Sequence, residues 1–209
     1  MKINVIGLGV GNLDYFSLAG RKILKTSDIV IGGERQLKDI DELLTENIIR
    51  YKLKSLENMK NFINENFEKN ISIIVSGDTG YYSLLSYIKR NFEMAEIKVI
   101  PGLSSFQYLF GKICETWEEY TLCSVHGREI DIIKTLKESK KGLVLLTDKK
   151  NSPYEIGRLL FENNLNNIEI IVGENLSYED ENIFSFFPEN FEKYKREYSL
   201  NVVVLKKCI

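Results

Sequence analysis

The sequence predicts an α/β fold in two domains, on three observations. Short β-branched runs alternate with helix-length amphipathic stretches, a glycine follows each early strand, and the periodicity fades once, between about 112 and 119. In the first domain, 1–112, strands are expected at 3–6, 29–31, 71–75 and 97–100, with helices at 18–25, 56–67, 82–90 and 104–110. Ser17 is placed to cap the first helix. In the second domain, 119–209, strands are expected near Leu122 and at 143–146 and 168–172, with helices at 130–137 and 153–161. Pro153 suits the first turn of the last helix, where its missing N–H would be unpaired anyway. Runs at 184–186 and 202–205 read as further strands, antiparallel to the rest.

Composition excludes several classes. With 209 residues and a formal net charge of -2, from 28 basic and 30 acidic side chains, the chain lacks the basic excess of a general nucleic-acid coat. Cys114, Cys123 and Cys208 form no CxxC pair and His126 is the only histidine, so neither a protein-bound metal on Cys/His ligands nor a disulfide scaffold is expected. No apolar run approaches the roughly 18–20 residues of a membrane span. The opening strand-like run leaves no room for a secretory leader, so a reducing cytoplasm is the expected compartment.

Glycines 7, 32, 77 and 102 follow the first four strands. Loops at the carboxyl ends of parallel strands hold the ligands of open α/β sheets, so glycines recurring there imply sharp turns or close approach to a ligand. Val5-Ile-Gly-Leu-Gly-Val-Gly-Asn12 is not a dinucleotide fingerprint, because GxGxxG from Gly7 needs glycine where Asn12 stands. Val75-Ser-Gly-Asp-Thr-Gly80 offers Asp78 to a ribose or an amine; the plainer alternative is that Asp78 caps a helix starting near Tyr81. Ile100-Pro-Gly-Leu-Ser-Ser105 puts two hydroxyls at a helix start, of which capping accounts for one.

These three loops, in this order, resemble the tetrapyrrole (precorrin-type) methyltransferase family over the whole chain. Gly32-Gly-Glu-Arg-Gln-Leu37, Ser124-Val-His-Gly-Arg128, Leu145-Leu-Thr-Asp148 and Val172-Gly-Glu-Asn-Leu176 resemble its cobalt-precorrin C5-methyltransferase branch. Val10 and Thr79 stand where many relatives have proline, and Gln36 where the branch often has histidine. The resemblance implies a tetrapyrrole-methylase-like fold, with a ligand cleft between two α/β domains. It further implies S-adenosylmethionine as co-substrate and methylation of C5 of cobalt-precorrin-7 in cobalamin synthesis, with a homodimer as the assembly. The sequence ends without the fused C15-methylating decarboxylase of some relatives, so that activity is expected in a separate protein.

At residue level the resemblance implies Gly9, Val10, Gly77, Asp78, Tyr81, Ser104 and Ser105 as donor-binding residues, with Leu146 and Thr147 bordering the adenine. It places His126 and Arg128 with the substrate, Arg128 because a guanidinium grips carboxylates in a bidentate way. The plainer alternatives are a structural histidine, and an ion pair of Arg128 with Glu129 or Asp131. No catalytic acid or base is assigned. Two readings stay open beside this one: a methylase of the same fold acting on another tetrapyrrole, ribosomal RNA or a modified protein histidine, and a non-catalytic cofactor-binding module.

Overall fold

The computed structural model describes residues 1–208. They fall into two compact units, Met1–Ser105 and Phe106 onward. The first unit runs β1 (Lys2–Gly7), α1 (Leu18–Leu24), β2 (Ile29–Gly32), α2 (Glu34–Asp39), β3 (Ile49–Lys52), α3 (Leu56–Glu65), β4 (Asn70–Val75), α4 (Leu85–Asn91) and β5 (Glu96–Ile100). The strands form one parallel sheet in the order β3-β2-β4-β1-β5. β1, β2 and β4 are buried almost throughout, so both faces of the central sheet must be covered, and their near-continuous Ile/Val runs meet that need.

Two apolar layers do the covering. Ile3, Val5, Ile71 and Ile73 pack with Met59 and Ile63 of α3 and Ile88 of α4. Ile6, Val30 and Ile74 pack on the other face with Leu24 of α1. The chain therefore leaves β1 toward one face and the adjacent β4 toward the other. That divergence is a topological switch point, where the loops at the strand ends part and a ligand can enter.

Ser17 caps α1 as its position predicts, accepting from the Gly20 N–H at 3.0 Å. Two elements were not expected from sequence. β3 is a short edge strand, Ile-Arg-Tyr-Lys, with three of its four residues exposed, so it carries no buried run to read. α2 is six residues long, and its capping Gly33 makes no side-chain cap. The helix expected over 82–90 starts only at Leu85. Tyr82 has φ +54, a left-handed conformation that cannot continue a helix.

The second unit contains α5 (Ser105–Lys112), β6 (Tyr120–Ser124), α6 (Ile132–Glu138), β7 (Gly142–Leu146), α7 (Pro153–Glu162), β8 (Ile168–Glu174), β9 (Asn182–Phe186), a 3-10 turn at Pro188–Tyr194, and β10 (Asn201–Lys207). Its sheet has the order β6-β7-β10-β8-β9. Only β6 and β7 are parallel; β10 and β9 run antiparallel to their neighbours, as expected for 202–205 and 184–186. Leu143, Leu145, Val203 and Leu205 pack with Ile132 and Leu136 of α6 and Ile156 and Leu160 of α7.

The units divide at Ser105/Phe106, whereas fading periodicity placed the junction between 112 and 119. Side-chain packing explains the earlier position. Phe106 meets Trp117 edge-on at 5.3 Å, Phe110 meets Tyr120 at 5.0 Å, and Lys112 pairs with Glu181 at 3.0 Å. Among the described residues, no helix is long and apolar enough to cross a membrane.

Candidate active site

The loops that follow β4, β1 and β5 leave neighbouring strands, and they meet backbone to backbone. The Gly9 N–H donates to Gly77 O at 3.2 Å and the Gly77 N–H to Gly9 O at 2.9 Å, beyond a Leu8 N–H bond to Val75 O at 2.8 Å. A Cβ on Gly102 would lie 2.3 Å from Gly77 O and 2.7 Å from Gly7 C; one on Gly7 would lie 2.5 Å from Gly102 N. No side chain fits at Gly7 or Gly102, so two of the four strand-end glycines are there for close approach, while Gly77, where a Cβ would lie 3.8 Å from Ser104 Cα, is there for its backbone conformation. Gly32 is not one of them, since a Cβ there would make ordinary contact, 3.4 Å from Leu37.

Around this junction lie the residues assigned to the donor. Val10 and Ser104 are buried, and Gly77, Asp78, Tyr81 and Ser105 are half-buried. Gly9 and Gly77 adopt φ +81 and +62, which a side chain would strain. Asp78 does not cap a helix. Its Oδ1 accepts from the Gly80 N–H at 2.7 Å in a local turn, while Ser83 Oγ accepts from the Leu85 N–H at 3.2 Å where α4 begins. The Tyr81 ring stands edge-on to Tyr82 at 4.7 Å.

Beside them, the loop after β2 reaches the loop after β4. Arg35 Nη2 and Gln36 Nε2 donate to Ser76 Oγ at 2.6 and 2.8 Å, and Arg35 Nη1 pairs with Asp39 at 3.1 Å. Sequence reading marked this segment by its likeness to the branch and missed Ser76. The only local signal was a serine between a strand and the Gly77 turn.

In the second unit, the loops after the parallel strands β6 and β7 are clamped together. His126 is exposed, with Nδ1 3.0 Å from Thr147 O. The Gly127 N–H, at φ +64, donates to Asp148 Oδ2 at 2.9 Å, and the Asn151 N–H donates to Asp148 Oδ1 at 2.8 Å. The Gly127 N–H foremost, with the Asn151 donors, holds the Asp148 carboxyl below its ordinary range. Thr147 is buried, and its hydroxyl turns into the sheet toward Asn201 O (2.9 Å) and Oδ1 (2.6 Å). Leu146 ends β7, its carbonyl accepting from the Val125 N–H at 2.9 Å.

Arg128 is exposed beside a cavity of about 490 Å³ that Glu129, Ile130, Asp148 and Lys150 also line. Asp131 caps α6 through the Lys134 N–H at 2.9 Å. Glu174 ends β8 as a buried carboxylate gripped by Arg196 at 3.1 and 2.6 Å and by the Ser199 N–H at 2.8 Å. Burial pulls its pKa up, but Arg196 and Ser199 outweigh that and hold the carboxyl below its usual value. Among the described residues, no group of three or more His, Cys, Asp or Glu could hold a metal ion.

A parallel sheet with a glycine-built junction at its switch point defines a small-molecule-binding α/β protein. Residues 2–188 match the family described as Tetrapyrrole (Corrin/Porphyrin) Methylases. The chain is 33% identical over 195 residues to a probable cobalt-precorrin-7 C(5)-methyltransferase of Methanocaldococcus jannaschii, covering 87% of each chain. It is 26% identical over 204 residues to the cobalt-precorrin-7 C(5)-methyltransferase of Salmonella typhimurium, covering 97% of this chain and 98% of that one. In fold it is similar to the crystal structure of a cobalamin-biosynthesis precorrin-6Y methylase from Archaeoglobus fulgidus, with a TM-score of 0.76 at 18% identity over 100% of this chain and 99% of that one. The chain belongs to the tetrapyrrole methylase family and is an S-adenosylmethionine-dependent methyltransferase.

Proposed function

We propose that this methyltransferase acts on C5 of cobalt-precorrin-7 in cobalamin biosynthesis. The donor side rests on one observation: the backbone junction of Gly7, Gly9, Gly77 and Gly102 at the switch point of the first sheet. The C5 reading is supported by what the Methanocaldococcus and Salmonella relatives are named for, together with the Gly-Gly-x-Arg, His-Gly-Arg and Gly-Glu-Asn-Leu segments.

The residues around the junction fit a methionine-bearing donor. Asp78 spends Oδ1 on Gly80, and its Oδ2 is left to accept from an ammonium or a ribose hydroxyl. Ser104 and Ser105 bring hydroxyls for a carboxylate, and Gly9, Val10, Gly77 and Tyr81 complete the wall. When bound, S-adenosylmethionine supplies a methyl group activated by its sulfonium. The task left to the protein is orientation, because an in-line displacement needs nucleophile, methyl carbon and leaving sulfur nearly collinear. Fixing such an arrangement contributes on the order of 7–11 kcal/mol. The acceptor is an electron-rich meso carbon of an extended enamine, so no strong base is needed before the methyl moves.

In the second unit, Arg128 is assigned to an acceptor carboxylate, and His126 to holding the Arg128 loop against Thr147. Leu146 and Thr147 are assigned to the adenine on the resemblance.

The test is incubation with methyl-labelled S-adenosylmethionine and a panel of cobalt-precorrins, with the product's methyl position read by NMR. Label at C5 of cobalt-precorrin-7 is the expected result. Label on another tetrapyrrole overturns the regiochemistry, and binding without turnover on every acceptor overturns the tetrapyrrole reading.

A further inference from the structure

Ser76 has an unusual hydrogen-bond position. A serine hydroxyl has two acceptor lone pairs and one proton to donate. Here both acceptor positions are taken by groups that can only donate, Arg35 Nη2 at 2.6 Å and Gln36 Nε2 at 2.8 Å. The proton is thus left to point away from both, on an exposed residue directly before the Gly77 turn.

The surroundings hold this arrangement in place. Asp39 anchors the other arm of the guanidinium at 3.1 Å and is itself only 11% exposed. Gln36 folds back over Gly33, where a Cβ would lie 2.4 Å from its Oε1.

We propose that Ser76, positioned by Arg35 and Gln36, is a recognition subsite for a carboxylate of the acceptor. A hydroxyl that accepts from two donors, one of them a guanidinium, is a strengthened donor. Its preferred partner is an anionic oxygen rather than a neutral one. Ser76 opens the loop after β4 that also carries Gly77 and Asp78, so an acceptor carboxylate held there would be fixed close to the donor assigned to that loop. The inference rests on the reading that the acceptor is a polycarboxylate tetrapyrrole, and it adds a residue that reads one of those carboxylates.

The experiment compares wild type, Ser76→Ala and Ser76→Thr in equilibrium binding of free-acid uroporphyrin, of its methyl ester, and of S-adenosylhomocysteine. For Ser76→Ala the free acid should bind about tenfold more weakly, at the low end for a hydrogen bond to a charged group. The ester and S-adenosylhomocysteine should change by less than about twofold, and Ser76→Thr should restore the acid. Equal losses for acid and ester, a matching loss of S-adenosylhomocysteine, no loss at all, or no binding of the acid by wild type each overturn the subsite. Wild-type turnover of cobalt-precorrin-7 is scored separately. If it fails while the acid-selective loss persists, the C5 assignment falls and the subsite stands.

Discussion

Gly102→Ala puts a methyl group into the junction proposed to bind the donor. The added Cβ would sit 2.3 Å from Gly77 O, where ordinary contact begins near 3.4 Å, and it would face the backbone of Gly7 as well. Neither neighbour is a side chain that can swing aside, so the loops after β4 and β5 must part by about 1 Å. A misplacement of that size can cost on the order of 100-fold in a reaction governed by orientation. Overpacking at such a site destabilises by about 2 kcal/mol, which lowers the melting temperature by at least roughly 4 °C.

Gly111→Ala is the matched control. It lies exposed in α5 with nothing within 4 Å of the added Cβ, so it should be neutral or stabilise by about 0.5–1 kcal/mol through helix propensity. Thermal unfolding by circular dichroism and calorimetric titration with S-adenosylhomocysteine read both effects. Gly102→Ala should lose stability and affinity, while Gly111→Ala keeps both. A Gly102→Ala protein with wild-type melting and wild-type affinity would refute the claim that the three loops form one tightly packed donor site.

Asp78→Ala should weaken S-adenosylhomocysteine binding measured by calorimetry, and unchanged affinity removes Asp78 from the site. Arg128→Lys should raise the acceptor KM and leave donor affinity alone, because an ammonium cannot reproduce the bidentate fork; parallel loss of both indicates a structural role. Arg196→Met leaves the Glu174 carboxylate buried with only its Ser199 partner, which should cost about 2 kcal/mol, a figure kept low because Arg196 is 42% exposed. The folded-state carboxyl of Glu174 titrates below its unfolded value. Its stabilisation is therefore complete above about pH 4.3 and disappears as pH falls through the folded value. The stability gap between wild type and Glu174→Gln in urea titrations should accordingly narrow as the pH is lowered; a gap that is the same at every pH contradicts the ion-pair account.

The sequence by itself determined the α/β class, the buried strands, and the capped helix start at Ser17. These are local: β-branched runs, helical periodicity and cap chemistry act within a few residues of each other. It also named three of the loops that meet in the first sheet, because a glycine directly after a strand is visible without a partner. It missed α2 and β3, which are short and polar and depend on the sheet edge and its covering layer.

Only the tertiary structure decided what those loops touch. Gly7, Gly77 and Gly102 are dozens of residues apart, and their contact follows from the order β4-β1-β5, which no local pattern specifies. The same holds for Ser76, whose meaning comes from Arg35 and Gln36 on the loop after the neighbouring strand. It holds too for Asp78, which sequence left divided between a cap and a ligand until the start of α4 at Leu85 ruled out the cap. Conformational preference is written residue by residue, while proximity is set by which strands pair.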